Sequence, residues 1–172
     1  MRFFRLRFNV KAVLKSDSPA GFVARAAMIA AVYIVITLLV APIAFGPIQF
    51  RIPEALTMLA FIDPAAILGL TVGVFFANFA SPLGLVDILG GSALTLLAAL
   101  LTFKIKNRYL AMLPPIVVNA LGVPLYLAPA YGLPYWPTVL YIALGQAVVI
   151  GILGLHVLEL YKKAAGTFVK KV

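Results

Sequence analysis

Gly46-Pro47-Ile48-Gln49-Phe50-Arg51-Ile52-Pro53-Glu54 is a polar, proline-braced segment set between two strongly apolar stretches. It holds Arg51, while the other thirteen of the chain's fourteen basic residues fall where a membrane protein keeps positive charge on its cytoplasmic side. An isolated charge so placed points to a function.

Working outward, the 172 residues are 64% hydrophobic, only 11% charged, and average +1.11 in hydropathy. Five acids and fourteen bases cannot clothe a soluble domain of this length, so the apolar surface faces lipid and the chain reads as a multispan membrane protein. The net charge of +9 does not indicate nucleic acid, because the bases gather at segment ends: Arg2, Arg5, Arg7, Lys11 and Lys15; Lys104, Lys106 and Arg108; Lys162, Lys163, Lys170 and Lys171. That pattern sets topology and attracts anionic lipid. Without cysteine, the chain has no disulfide, iron–sulfur or thiol chemistry. The apolar run from Phe22 to Ala41 exceeds a signal-peptide core and no convincing small-x-small cleavage site precedes Gly46, so it is expected to be a retained span.

A helix needs about 20 apolar residues to cross the hydrocarbon, and on that rule the sequence predicts an all-α protein with six transmembrane helices, near 22–41, 53–62, 64–80, 84–103, 109–128 and 137–161. The second is short and must tilt, re-enter or meet thin membrane. Six crossings place residues 1–21, Lys104–Arg108 and the tail 162–172 together on the cytoplasmic side, so the basic clusters agree. The expected organisation is a basic arm over 1–21, a membrane domain over 22–161 and a basic tail over 162–172. Pro53 and Pro64 suit first-turn positions and Asp63 an N-cap. Tyr126, Tyr131, Tyr135, Trp136 and Tyr141 form an outer aromatic belt.

No Gly-x-x-x-x-Gly-Lys-Ser/Thr loop occurs, so ATP hydrolysis is not expected in this chain. His156 is the lone histidine, which excludes a multi-histidine zinc site, and no catalytic triad is suggested by order or spacing. We therefore expect no catalytic residues, metal or cofactor. Polar groups inside a bilayer are costly and mark functional sites. Those predicted to converge toward the outer side or the middle are Gln49, Arg51, Glu54, Asn78, Asp87, Asn119 and Gln146. Each has a structural alternative: Glu54 suits a helix N-terminus whatever its function, and Arg51 can simply pair with Glu54 or Asp87. Asp87 is followed by Gly90 and Gly91, which leave room beside a ligand-binding carboxylate or allow close helix packing. Asn119 and Tyr126 share a face, and Asn119 serves a ligand or joins helices. His156 and Glu159 read as an interfacial charge cluster beside Lys162 and Lys163.

Ala26 with Ala30, and Ala27 with Ala31, form a smooth stripe in the inner half of the first span that permits close approach of another helix. Such a stripe usually serves packing within the same protein. Gly69 with Gly73 makes a second.

The run Ala41-Pro42-Ile43-Ala44-Phe45-Gly46-Pro47-Ile48-Gln49-Phe50-Arg51-Ile52-Pro53-Glu54-Ala55-Leu56 resembles the signature of the QueT family of queuosine-precursor transporters, substrate-binding S components of energy-coupling factor (ECF) importers. The resemblance continues through Pro64-Ala65-Ala66, Ala77-Asn78, Gly84-Leu85-Val86-Asp87 with Gly91-Ser92, and Pro114-Pro115 to Asn119-Ala120. Pro53 stands where many relatives have serine. The resemblance implies a six-helix plasma-membrane protein that captures a scarce nutrient outside the cell. Its partners would be an ECF module of one transmembrane T protein and two cytoplasmic ATPases, docked on Ala26, Ala27, Ala30 and Ala31. For a 7-deazaguanine such as preQ1 or queuine, Glu54 and Asp87 would accept from the donor edge or meet a cation. Gln49, Arg51, Asn78 and Asn119 would donate to the carbonyl, and Phe50, Tyr126 or Trp136 would stack on the ring. The same inventory suits other heterocyclic vitamins, and a channel or membrane scaffold is a further alternative.

Overall fold

The computed structural model describes residues 18–46 and 50–169, with side chains as far as residue 164. Gln49, residues 1–17 of the expected basic arm, and the tail lysines Lys170 and Lys171 lie outside the described residues. Within them every regular element is helical.

Helix 1 (Pro19–Leu39) starts three residues before the expected boundary, because Ser18 makes an N-cap: its Oγ accepts from the Gly21 N–H at 3.1 Å, with Pro19 at the first helical position. After a short turn of helix at Ala41–Ala44 come helix 2 (Ile52–Phe61) and helix 3 (Ala65–Ala77), which tightens into a 3₁₀ turn at Asn78–Ala80. Helix 4 is Leu85–Lys104. Helix 5 runs from Leu110 to Tyr131, interrupted at Val123-Pro124, and helix 6 from Tyr135 to Val169, with a π-helical stretch at Val149–Gly154. Among the described residues, helices 1, 4, 5 and 6 are long and apolar enough to cross a membrane; helix 2 and the 65–80 segment are shorter. Leu39, Leu85, Leu125, Leu144 and many other large apolar side chains point outward, a surface suited to lipid.

Helix 2 is the axis of the molecule. It packs against helices 1, 3, 4 and 6 and the start of helix 5, and every residue from Pro53 to Ala60 is buried. All ten of its residues are in 3₁₀ form, where runs longer than 3–4 residues are uncommon. At about 2.0 Å per residue this conformation stretches the segment to about 20 Å, against about 15 Å as α-helix. Residues three apart then stack in rows: Leu56 and Leu59 enter a core with Ile29, Tyr33, Leu70 and Val74, while Met58 enters another with Ile62, Ile150 and Leu158. Enclosure by protein on every side makes an unusual backbone tolerable at membrane depth.

The alanine stripe of helix 1 divides. Ala26 and Ala30 are buried against helix 3, where a Cβ on Gly69 would stand 2.6 Å from the Ala26 carbonyl oxygen and one on Gly73 3.2 Å from Ala30 Cα. These two residues are therefore corrected from docking surface to internal packing, whereas Ala27 and Ala31 face outward.

Two polar centres mark opposite ends of helix 2. At its C-terminal end Asp63 accepts from Arg25 Nε at 2.8 Å, from the Ala65 N–H at 2.8 Å and from the Tyr161 hydroxyl. Asp63 thus caps helix 3 and ties it to helices 1 and 6. The same end gathers Ile105, packed near Ile62, and the exposed cluster in which Glu159 accepts from Arg108 and Lys162, each at 3.1 Å. His156 joins its own helix instead, with Nδ1 2.6 Å from the Ile152 carbonyl. The other centre lies at the N-terminal end of helix 2.

Candidate ligand site

Here the sequence places two carboxylates and a guanidinium where the fold removes water. Arg51 is 6% exposed, Glu54 1% and Asp87 0%. Charges buried this deeply need partners. Arg51 Nη2 reaches both oxygens of Asp87, at 3.0 and 3.1 Å. Asp87 also accepts from Ser81 Oγ at 2.6 Å and the Tyr126 hydroxyl at 2.9 Å. Asn78 Nδ2 donates to the Asp87 backbone carbonyl at 2.7 Å, which fixes the first turn of helix 4. The guanidinium lies 5.8 Å from the Phe45 ring centre, completing the enclosure.

Local chain geometry delivers Asp87 to this position. Ser81 to Gly84 form a turn closed by the Gly84 N–H on the Ser81 carbonyl at 3.2 Å, and Gly84 adopts φ +59° and ψ −134°, a conformation open essentially to glycine. Helix 4 then begins directly beneath Ser81. Gly90 and Gly91 do leave room beside the carboxylate, and protein groups fill it. A Cβ on Gly91 would stand 2.6 Å from Asn78 Nδ2, and one on Gly90 3.2 Å from the Tyr126 ring.

Glu54 is held separately. Its Oε1 accepts from the Tyr33 hydroxyl at 2.8 Å and its Oε2 from Asn119 Nδ2 at 3.3 Å. Arg51 thus pairs with Asp87, and the contacts of Glu54 are neutral donors. Thr57, one 3₁₀ turn on, returns its hydroxyl to the Glu54 carbonyl at 2.6 Å. Helices 1, 2 and 5 therefore converge on one carboxylate, and helices 4 and 5, the Ser81 turn and Arg51 on the other.

Of the residues expected from sequence, Arg51, Glu54, Asn78, Asp87 and Asn119 meet here, together with the Tyr126 hydroxyl. Phe50 is half-buried, its ring 3.4 Å from the position of a Gly145 Cβ. Trp136 lies apart: it is 69% exposed and meets Tyr135 edge-on, in keeping with the aromatic belt. Tyr33 and Ser81 complete the cluster; a tyrosine in an apolar span carries no signal until the helices are packed. A groove of ≈ 320 Å³ lined by Met28, Ile29, Val32, Leu56 and Leu160 opens elsewhere, between helix 1 and the end of helix 6.

A family model described as QueT transporter matches residues 23–163. A "Queuosine precursor transporter QueT" of Lactococcus lactis subsp. cremoris (strain MG1363) is 36% identical over 89 residues, 48% of this chain and 52% of that protein. The match thus spans about half the length of the curated relative. No solved structure matches.

Proposed function

The chain belongs to the QueT transporter family, and from that premise we propose that it is the substrate-binding S component of an ECF importer that takes up a queuosine precursor of the preQ0, preQ1 or queuine type. As a transporter with several long apolar helices it is a multi-pass protein of the plasma membrane. The finer reading has six crossings, helix 2 included, with both termini cytoplasmic and the basic segments 1–21 and 162–172 flanking the membrane domain. The gathering of Arg25, Arg108 and Lys162 at the Asp63 end supports that orientation.

The observation that carries the substrate reading is the enclosed trio of Arg51, Asp87 and Glu54 in an otherwise apolar helical body. Arg51 and Asp87 compensate each other, whereas Glu54 accepts only from neutral groups. Glu54 is accordingly the carboxylate suited to a cationic or donor-rich ligand, such as one with the aminomethyl group of preQ1. Capture proceeds from the outer side without covalent change. ATP-driven reorientation is supplied by a T protein and two ATPases, docked on Ala27 and Ala31.

Titration of the purified protein with preQ0, preQ1, queuine and guanine tests the substrate. Tight binding of a deazaguanine is the expected result; binding of some other vitamin and none of these would discard the assignment. Copurification with a T protein and ATPases separates an importer subunit from a channel or scaffold.

A further inference from the structure

Gln146 lies on helix 6, 4% exposed, and its side-chain oxygen has no hydrogen-bond partner among the described residues. The same is true of Arg51 Nε. Every other buried side-chain polar atom of the described cluster is satisfied, and an unsatisfied buried group is expensive enough to require an explanation.

The packing brings the segments that carry the two groups together. One turn before Gln146, Ile142 packs with Ala120, the neighbour of Asn119. One turn after it, Ile150 packs with Met58 of helix 2. Gln146 therefore faces inward between the level of Asn119, which bonds Glu54, and the middle of helix 2. Phe50, next to Arg51, packs on Gly145, next to Gln146. The π-helical stretch begins three residues on, at Val149, and Gly154 within it seats helix 6 so close to Met58 that a Cβ there would lie 2.8 Å from Met58 Cγ. Such π-bulges recur at functional sites.

Resting on the reading of this cluster as the ligand site, we infer that Gln146 is a ligand contact, which together with Arg51 Nε takes the lactam edge of a heterocycle. The guanidinium Nε–H is a donor awaiting an acceptor, and the Gln146 carbonyl is an acceptor awaiting a donor. A lactam presents that pair side by side, a ring carbonyl adjacent to a ring N–H. An edge in which an amine replaces the carbonyl and a bare ring nitrogen replaces the N–H sets a donor against Arg51. The glutamine amide can turn to suit either edge, but the Arg51 Nε–H cannot, so an amine edge leaves a buried mismatch.

The test uses the full chain in detergent, titrated with preQ1 and with the analogue of preQ1 whose ring carbonyl is replaced by an amine. Wild type is expected to prefer the lactam, and Gln146→Leu and Gln146→Met to lose about ten- to a hundredfold of preQ1 affinity, the range for a buried ligand donor left unpaired. The preference between the two ligands, which the fixed Arg51 Nε–H sets, should persist in both variants. Thermal melting supplies a readout that a structural glutamine would move in the opposite direction: removing an unsatisfied group leaves Tm equal or higher. Wild-type binding of preQ1 that both variants retain, or variants that melt well below wild type, would overturn the role of Gln146 alone. Failure of wild type to bind preQ1 or any other deazaguanine would overturn the substrate proposal and this inference with it.

Discussion

Asp87 and Glu54 look interchangeable in the sequence, two acids near two helix starts, but their contacts give them different sensitivities. Asp87→Asn leaves the Arg51 guanidinium buried beside a neutral amide, and one-sided removal of a buried pair costs about 3–5 kcal/mol. Thermal melting of that variant should show a large loss of stability. Glu54→Gln keeps an oxygen for the Tyr33 hydroxyl and sacrifices about 1 kcal/mol at the Asn119 contact. It should fold, melt near wild type and bind preQ1 more weakly; undiminished affinity would remove Glu54 from the site. Arg51, Glu54, Asn78, Asp87 and Asn119 were legible because charges and amides inside apolar spans stand out, and alternating crossings direct them toward the outer side or the middle. Their pairing was not legible: whether Arg51 meets Glu54 or Asp87 depends on the Ser81–Gly84 turn, whose geometry no composition reveals.

Helix 2 was recognised from sequence as a short apolar segment between Pro53 and Asp63, and its shortness was left open among tilt, re-entry and thin membrane. The structure adds a conformation that was not expected: 3₁₀ winding lengthens the segment, and rows of three fit its crowded surroundings. Helix propensity says nothing of this, because tertiary packing selects the winding. The glycine stripe of helix 3 was legible and its partner was not. Gly69→Ala drives a methyl into the Ala26 carbonyl, a backbone atom that moves only if helix 1 moves, so a loss of about 1–3 kcal/mol is expected on thermal melting. Gly122→Ala also creates an overlap, but with the side chain of Leu94, which can change rotamer, so it should lose less. Equal losses in the two variants would refute the backbone contact as the cause.

Across the molecule, the alanine stripe divides into a buried packing face and an outward face, the one proposed to dock a partner. Ala30→Leu should disrupt the seam between helices 1 and 3 and lower Tm, whereas Ala27→Leu should fold and bind preQ1 yet fail to copurify with a T protein. Normal assembly and uptake by the Ala27 variant would leave that outward face without a docking role. The all-helical class was legible because hydropathy and basic clusters act over whole segments, while closure of the interior around helix 2 depends on contacts scattered from residue 29 to residue 161. That enclosure has a consequence for biosynthesis. Helix 2 leaves the ribosome before helices 3 to 6, which supply most of its walls, so it lacks a protein environment at the moment it meets the translocon. On the proposed topology of six crossings with cytoplasmic termini, a reporter fused after residue 62 should therefore remain on the outer side and one fused after residue 164 should stand in the cytoplasm, helix 2 entering the bilayer only once later-made neighbours can receive it.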